Sequence, residues 1–358
     1  MNNAPHRYRH ILRSQQFNPE NIKKIFALTD HLKNEHASNE ASWRDRILGN
    51  TERETPDGSA GRQGYTLQGK TALFFFGENS TRTRTSFHAA CVNMRLNIMT
   101  AEPKETSISK GESWEDTVLN FGLIYSGVFI IRHSDETILD RAASVLDEWD
   151  LPLHIINAGL GSKQHPTQAL LDVYTIERRL GHLDNLTIVI GGDLRYSRAV
   201  RSLVYLLAKY HARFIFVAHP ELCFTEEDEL MIHLREKGVS YKMETDVRNA
   251  FPKADVVYWT RPQEERWQSA TLLRHKTDIM RAYTIDGGTI KLMKPHPDSI
   301  LMHPFPRKSD DPAVPPEILP EVDHDPRVAY LDQVKNGPFV RAALLYDVLL
   351  QPHFPDHE

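Results

Sequence analysis

Cysteine is scarce in this chain: Cys91 and Cys223 are the only two in 358 residues. That is too few for a disulfide framework or a cysteine metal cluster, so both are expected as free thiols. Long apolar runs are missing as well. The longest candidate, 72–76 with its flanks, falls far short of the about 18 residues that span a bilayer, so no membrane association is expected. Charge of one sign is not in excess either. The 43 lysines and arginines face 48 aspartates and glutamates, for a formal charge of −5, and no block of like charge stands out. Broad nucleic-acid binding is thereby disfavoured. The stretch Met1–Leu12 carries Arg7 and Arg9 but no apolar core of a secretory signal, so a cytoplasmic location is expected. What is present is a globular composition, 40% hydrophobic and 25% charged, at a length that suits about two domains.

Asn18 and Pro19 form a cap and first-turn proline, and Ile22, Ile25, Phe26 and Leu32 recur near helical spacing, so a helix opens the fold. From about 36 to 68 the chain turns polar, with Pro56 and Gly58 close together, and reads as an exposed insertion to which no chemistry is assigned. Beyond it, apolar runs at 71–76, 128–132, 154–157, 186–190, 213–217, 256–259 and 300–302 alternate with longer segments, among them 114–125, 167–180, 197–209 and 226–237. Short continuous apolar runs mark strands buried on both faces, and the longer segments suit crossover helices. An α/β chain, doubly wound, is the expected class. A last helix is expected from about Pro338, after a turn at Asn336 and Gly337.

The chemistry concentrates where these strands end. Phe74–Phe87 contains an apolar strand, then Gly77, then Ser80, Thr81, Arg82, Thr83 and Arg84 at the mouth of a helix. Free N–H groups at a helix start, hydroxyl donors and a permanently charged guanidinium together favour an anion. The glycine spacing and lysine of a Walker loop are missing. Taken alone, the run reads more simply as a helix cap of Ser and Thr with solvated arginines. Arg132 ends a strand; His165-Pro-Thr-Gln168 comes after another; Gly192-Asp193 with Arg198, Arg261-Pro-Gln263 and His303-Pro304-Phe305-Pro306-Arg307 come after three more. Each of these alone is more simply structural. Polar groups repeated at the carboxyl ends of successive parallel strands are where α/β folds bind ligands, so the set outweighs its members.

In this order, with Lys110-Gly-Glu112, these motifs resemble the transcarbamoylase (aspartate/ornithine carbamoyltransferase) family over about residues 70 to 350. The resemblance implies two doubly wound domains with central parallel sheets and an active site in the cleft between them. It implies a carbamoyl phosphate-binding domain at 1–165, an aspartate-binding domain at 166–335, and a C-terminal helix within 336–358 that returns to the first. The implied reaction moves the carbamoyl group of carbamoyl phosphate to L-aspartate, for pyrimidine synthesis. Ser80, Thr81, Arg82 and Thr83 would hold the phosphate, and Thr83, Arg132 and His165 would donate to the carbonyl oxygen as it gains charge. Gln168 and the backbone carbonyls of Pro304 and Phe305, ahead of Pro306, would accept the carbamoyl NH2 hydrogens. Arg198, Arg261 and Gln263 would hold the carboxylates of aspartate.

The same resemblance places Lys110, with Thr106 or Ser107, on a loop that reaches a neighbouring subunit's site, hence a homotrimer with shared sites. No metal, cofactor or covalent intermediate is expected, and regulatory chains or a dihydroorotase are the partner classes it brings in. Ornithine as acceptor is disfavoured, because the cysteine and methionine loops expected of an ornithine enzyme do not appear near 303–306 and 261. A catalytically silent anion-binding homologue is disfavoured because every expected polar residue is retained. Gly-Glu-Asn before Ser80 and Phe305 in place of leucine depart from the family pattern.

Overall fold

The computed structural model describes residues 9–38, 67–307 and 314–350. The polar segment expected at 36–68 lies, apart from its ends, outside them. The chain divides into two compact units. Unit 1 comprises Met1–Leu12, Glu20–Ala158 and Gly337–Glu358, and unit 2 comprises Arg13–Pro19 and Gly159–Asn336. The stretches 13–19 and 159–165 thus group with unit 2.

Unit 1 is built on a sheet of β1 (Thr71–Phe76), β2 (Asn97–Thr100), β3 (Gly127–His133) and β4 (Leu153–Leu160), in the order β2-β1-β3-β4. β1 runs parallel to both of its neighbours. The run of phenylalanines in β1 is a strand because it is covered on both faces: Phe74 is 0% and Phe75 2% exposed. Each such ring stabilises the unit by roughly 1.5–3 kcal/mol relative to exposure. Gly127 opens β3 at φ +149°, and a Cβ there would lie 2.0 Å from Thr71 O, so glycine alone lets the two strands meet at this point. The helices are α1 (Pro19–Ser38), α2 (Thr81–Asn93), α3 (Trp114–Ile124) and α4 (Ile138–Glu148). The sequence pattern singled out α1 and α3, pointed to the mouth of α2, and passed over α4.

Unit 2 carries the parallel sheet β7-β6-β5-β8-β9, from β5 (Thr187–Gly192), β6 (Arg213–Val217), β7 (Tyr241–Glu244), β8 (Val256–Thr260) and β9 (Ile300–Met302). Its longer helices are α5 (Pro166–Leu180), α6 (Arg198–Leu207) and α7 (Glu229–Glu236). Both cysteines are free, and burial pushes the Cys91 thiol up to about 12.

Two expectations need correction. β2 and β7 were not legible in the sequence, because both are edge strands whose residues stay largely exposed or half-buried and so carry no apolar run. The last helix does not start after a turn at Asn336 and Gly337. It runs unbroken as α8 from Tyr330 to Leu349, with Pro338 inside it. Buried amides override the local breakers: Asn336 Nδ2 donates to Thr175 Oγ1 at 3.0 Å, and Gln333, 2% exposed, is bonded on both ends of its side chain.

The strand orders decide where ligands belong. In unit 1 the order reverses between β1 and β3, and in unit 2 between β5 and β8. A crevice opens beyond the carboxyl ends of the strands at such a switch point, because the connections on its two sides leave toward opposite faces.

Candidate active site

The unit 1 switch point holds the first cluster. In the parallel register Phe76 of β1 lies beside Arg132 of β3, and Gly77 N donates to Arg132 O at 2.8 Å. The loop after β1 therefore passes directly by Arg132. The Arg132 guanidinium is 12% exposed, donates through Nη1 to Ala158 O at 3.2 Å, and has Glu78 Oε2 3.7 Å from its Nε. Ser80 is the N-cap of α2 in an extended conformation, yet its side chain makes no capping bond. The capping bond that a plain helix-cap reading calls for is thus absent, beside the first N–H groups of a thirteen-residue helix. Thr83 is buried at 5% exposure and Arg82 is half-buried on the same first turn. Arg84 is diverted from the cluster, since its Nη2 bonds Glu102 at 2.7 Å.

Lys110 does not join this group. It ends the exposed one-turn helix Ser107–Lys110, and no hydrogen bond or ion pair among the described residues ties it to the strand-end residues. The Thr106 hydroxyl is engaged locally, donating to Pro103 O at 2.9 Å.

In unit 2 the second cluster forms around the loops after β5 and β8. Gly192 ends β5 at φ +96°, where a Cβ would stand 2.2 Å from Thr260 O, so the chain turns against β8 and carries Asp193 inward. Asp193 is 1% exposed, and its carboxylate accepts from Gln263 N at 2.9 Å, Trp267 Nε1 at 2.9 Å and Tyr196 N at 3.3 Å. Burial pushes its pKa up despite these donors. Its part is to pin the loop that carries Arg261 and Gln263. Arg261 meets Glu265 one helical turn on, Nη2 to Oε1 at 2.5 Å and Nη1 to Oε2 at 3.3 Å, and Nη1 also donates to Pro262 O at 2.9 Å. Burial works to raise the Glu265 pKa, but the Arg261 hydrogen bonds and the charges of Arg261 and Arg266 hold it below the ordinary carboxylate value.

His165 and Arg198 stand at the starts of two helices that pack against each other, α5 and α6. His165 is the N-cap of α5, 5% exposed, and its backbone N–H donates to Ser202 Oγ on α6 at 2.7 Å. Arg198 begins α6 and donates through Nη1 to Gly161 O at 2.9 Å, an oxygen that Arg266 Nη2 also reaches at 3.5 Å. Thus the Arg198 and Arg261 loops share an anchor. Gln168, one turn into α5, donates through Nε2 to Asp172 Oδ1 at 2.8 Å.

The loop after β9 is held from several sides. Phe305 takes φ +43°, a costly conformation for an aromatic residue, and its N–H donates to His303 Nδ1 at 2.8 Å. On the other side of the ring, Nε2 lies 2.8 Å from Oε1 of buried Glu317. Arg307 sits over the Phe305 ring at 5.6 Å and is clamped by both oxygens of Asp323, at 2.7 and 2.9 Å. Pro304 and Phe305 are half-buried and Pro306 is exposed.

Asp172, Glu265 and Glu317 escaped the sequence reading, and Asp193 and His303 stood in its strand-end motifs without a role of their own. Asp172 had a signal: an acid four residues beyond Gln168 in the otherwise apolar stretch of α5. Asp193 was marked by its place directly after a strand-end glycine. Glu317 had none, because only the tertiary fold brings it to His303. Among the described residues no group of three or more His, Cys, Asp and Glu side chains stands close enough to hold a metal ion.

Comparisons with known proteins bear on both clusters. Residues 9–178 match the family model described as aspartate/ornithine carbamoyltransferase, carbamoyl-P binding domain, and 184–348 match the one described as the Asp/Orn binding domain. The chain is 36% identical over 342 residues to "Aspartate carbamoyltransferase 1, chloroplastic" of Pisum sativum, covering 95% of this chain and 78% of that protein. It is 38% identical over 279 residues to "Multifunctional protein pyr1-3" of Dictyostelium discoideum, covering 78% of this chain but 12% of that much longer one. The crystal structure of aspartate transcarbamoylase from Trypanosoma cruzi in complex with carbamoyl phosphate superimposes with a TM-score of 0.77 at 31% identity, covering 95% of each chain.

Proposed function

The chain belongs to the aspartate/ornithine carbamoyltransferase family, and from that premise we infer that it is an aspartate carbamoyltransferase, forming N-carbamoyl-L-aspartate and phosphate for pyrimidine synthesis. The observation that carries this reading is the pairing of chemistry with switch points: an acyl-phosphate cluster where β1 meets β3, and two anchored guanidinium groups beside β5 and β8.

The first turn of α2, with Ser80, Thr81, Arg82 and Thr83, grips the phosphate. Thr83, Arg132 and His165 donate to the carbonyl oxygen. The amine nitrogen of aspartate attacks the carbonyl carbon, and negative charge builds on that oxygen where these donors are worth most. The carbon–oxygen bond to phosphate then breaks, and phosphate leaves with the electron pair and takes the surplus amine proton. Gln168 Oε1 and the carbonyls of Pro304 and Phe305 accept the carbamoyl NH2 hydrogens and orient the group for attack. Arg198, Arg261 and Gln263 hold the two carboxylates. Two guanidinium forks suit a dicarboxylate, whereas ornithine offers one carboxylate and a second cation that they would repel.

A colorimetric assay for carbamoyl aspartate tests the reading. Product is expected with aspartate and none with ornithine; no product at saturating carbamoyl phosphate and aspartate would sink it.

Exposed Lys110 supports a homotrimer in which this residue, with Thr106 or Ser107, completes the site of a neighbouring subunit. Mixing inactive Lys110→Ala with inactive Arg132→Ala chains should then restore part of the activity, because some sites in the mixed assembly receive both intact residues. Unrestored activity after confirmed subunit exchange would mean self-contained sites. The cytoplasmic location expected from the first twelve residues is part of the same proposal. The match to a multifunctional chain supports a second enzyme, such as a dihydroorotase, as partner.

A further inference from the structure

An amide side chain is useful to the carbamoyl group only if it turns the correct end outward, and the surroundings of Gln168 show what turns it. Asp172, four residues along α5, is fully buried at 0% exposure. Its Oδ1 accepts from Gln168 Nε2 at 2.8 Å and from Gln333 Nε2 at 2.7 Å, and its Oδ2 accepts from Tyr258 Oη at 2.8 Å. A carboxylate accepts and never donates, so both glutamines must give it their NH2 groups and point their oxygens elsewhere. The Gln333 oxygen accepts from His303 N at 2.9 Å, at the root of the loop whose next two carbonyls are assigned to the carbamoyl amide. The same His303 holds Phe305 N through Nδ1. One buried carboxylate is therefore wired to both sources of acceptors, the Gln168 side chain directly and the loop 303–305 through Gln333.

We propose that Asp172 is a positioning residue for the carbamoyl amide. By fixing the polarity of Gln168 and the seating of the loop at 303–305, it makes this wall of the site one of acceptors only, and so selects an acyl phosphate bearing NH2 over the isostere bearing CH3. The inference rests on the transferase reading and extends it to donor selectivity. Asp172 touches no substrate and acts through Gln168 and His303.

The test compares binding of carbamoyl phosphate and acetyl phosphate by calorimetry, alongside kcat/KM for carbamoyl phosphate. The wild-type chain should prefer carbamoyl phosphate. Asp172→Ala should weaken carbamoyl phosphate binding and kcat/KM by about ten- to a hundred-fold while leaving acetyl phosphate affinity within about two-fold. Asp172→Asn should keep most of the preference, because its one oxygen can take both glutamine NH2 groups while its own NH2 faces the Tyr258 hydroxyl, which accepts as well as donates. Equal losses for both ligands in Asp172→Ala, or an unchanged preference, would overturn the proposal. Should the alanine chain not fold, Gln333→Leu takes its place. It keeps the carboxylate and removes the loop's tether, and should cut the preference about ten-fold; no change would overturn the proposal equally. A wild-type chain that makes no carbamoyl aspartate would overturn the transferase reading and this inference with it, whereas an active wild type beside an Asp172→Ala chain of unchanged selectivity would overturn this inference alone.

Discussion

Arg132→Ala should lower kcat by about 10²–10³-fold while the KM for aspartate stays within a few-fold. The expectation comes from where the side chain stands and when its charge is needed. Arg132 sits at the end of β3 beside Phe76, its guanidinium held by Ala158 O and near Glu78. Its side chain is 12% exposed. In the proposed mechanism the first turn of α2 already grips the phosphate of the donor, so losing Arg132 should cost little before reaction. The cost appears when the carbonyl oxygen turns anionic, and a donor needed mainly at that stage is read in kcat. Arg132→Lys should recover little, because an ammonium cannot bond Ala158 O and the oxygen at once in the geometry of a planar fork. Steady-state kinetics on the purified variants checks this, with thermal melts to confirm folding. A variant with unchanged kcat and a raised KM for carbamoyl phosphate would move Arg132 to ground-state binding and refute the role assigned.

The sequence exposed this half of the site because its parts lie at the ends of unusually apolar strands. Phe74–Phe76 and Val128–Ile131 are legible runs, and the residues just past a buried strand in an α/β chain are informative before any contact is known. The edge strands β2 and β7 lacked such a run because their side chains stay exposed or half-buried, unlike those of β4 and β9, which also end their sheets. The start of α8 was hidden differently. Asn336, Gly337 and Pro338 together read as a stop, and the helix persists through them because Gln333 and Asn336 are fixed by side chains about 160 residues away in sequence, at Asp172 and Thr175. Local propensity cannot report a bond of that range. The same limit explains which site residues were read. The cations and hydroxyls proposed to meet substrate stand in the strand-end motifs, whereas Asp172 and Glu265, which act on Gln168 and Arg261, have no motif of their own.

Those orienting acids set the second large effect. Arg261→Ala should raise the KM for aspartate by about a hundred-fold and leave the KM for carbamoyl phosphate within a few-fold, since a bidentate guanidinium–carboxylate contact is worth about 2–4 kcal/mol where water is partly excluded. Arg261 reaches this strength because it is prepared: Glu265 takes both of its terminal nitrogens, Pro262 O takes one of them, and Asp193 holds the loop beneath through Gln263 N and Trp267 Nε1. A free arginine would lose more side-chain entropy on meeting the substrate. The preparation can be tested apart from the charge. Glu265→Gln keeps Arg261 and much of the shape but replaces a carboxylate by an amide that offers one acceptor, so the fork is held at a single nitrogen. The KM for aspartate should then rise about ten-fold, with kcat less affected. Arg261→Ala in the Glu265→Gln background should add much less than the product of the two single effects, because the acid acts through the arginine it orients. Independent, multiplying effects would mean that Glu265 does not work through Arg261. A rise in the carbamoyl phosphate KM equal to that for aspartate would contradict the division of labour between the two clusters.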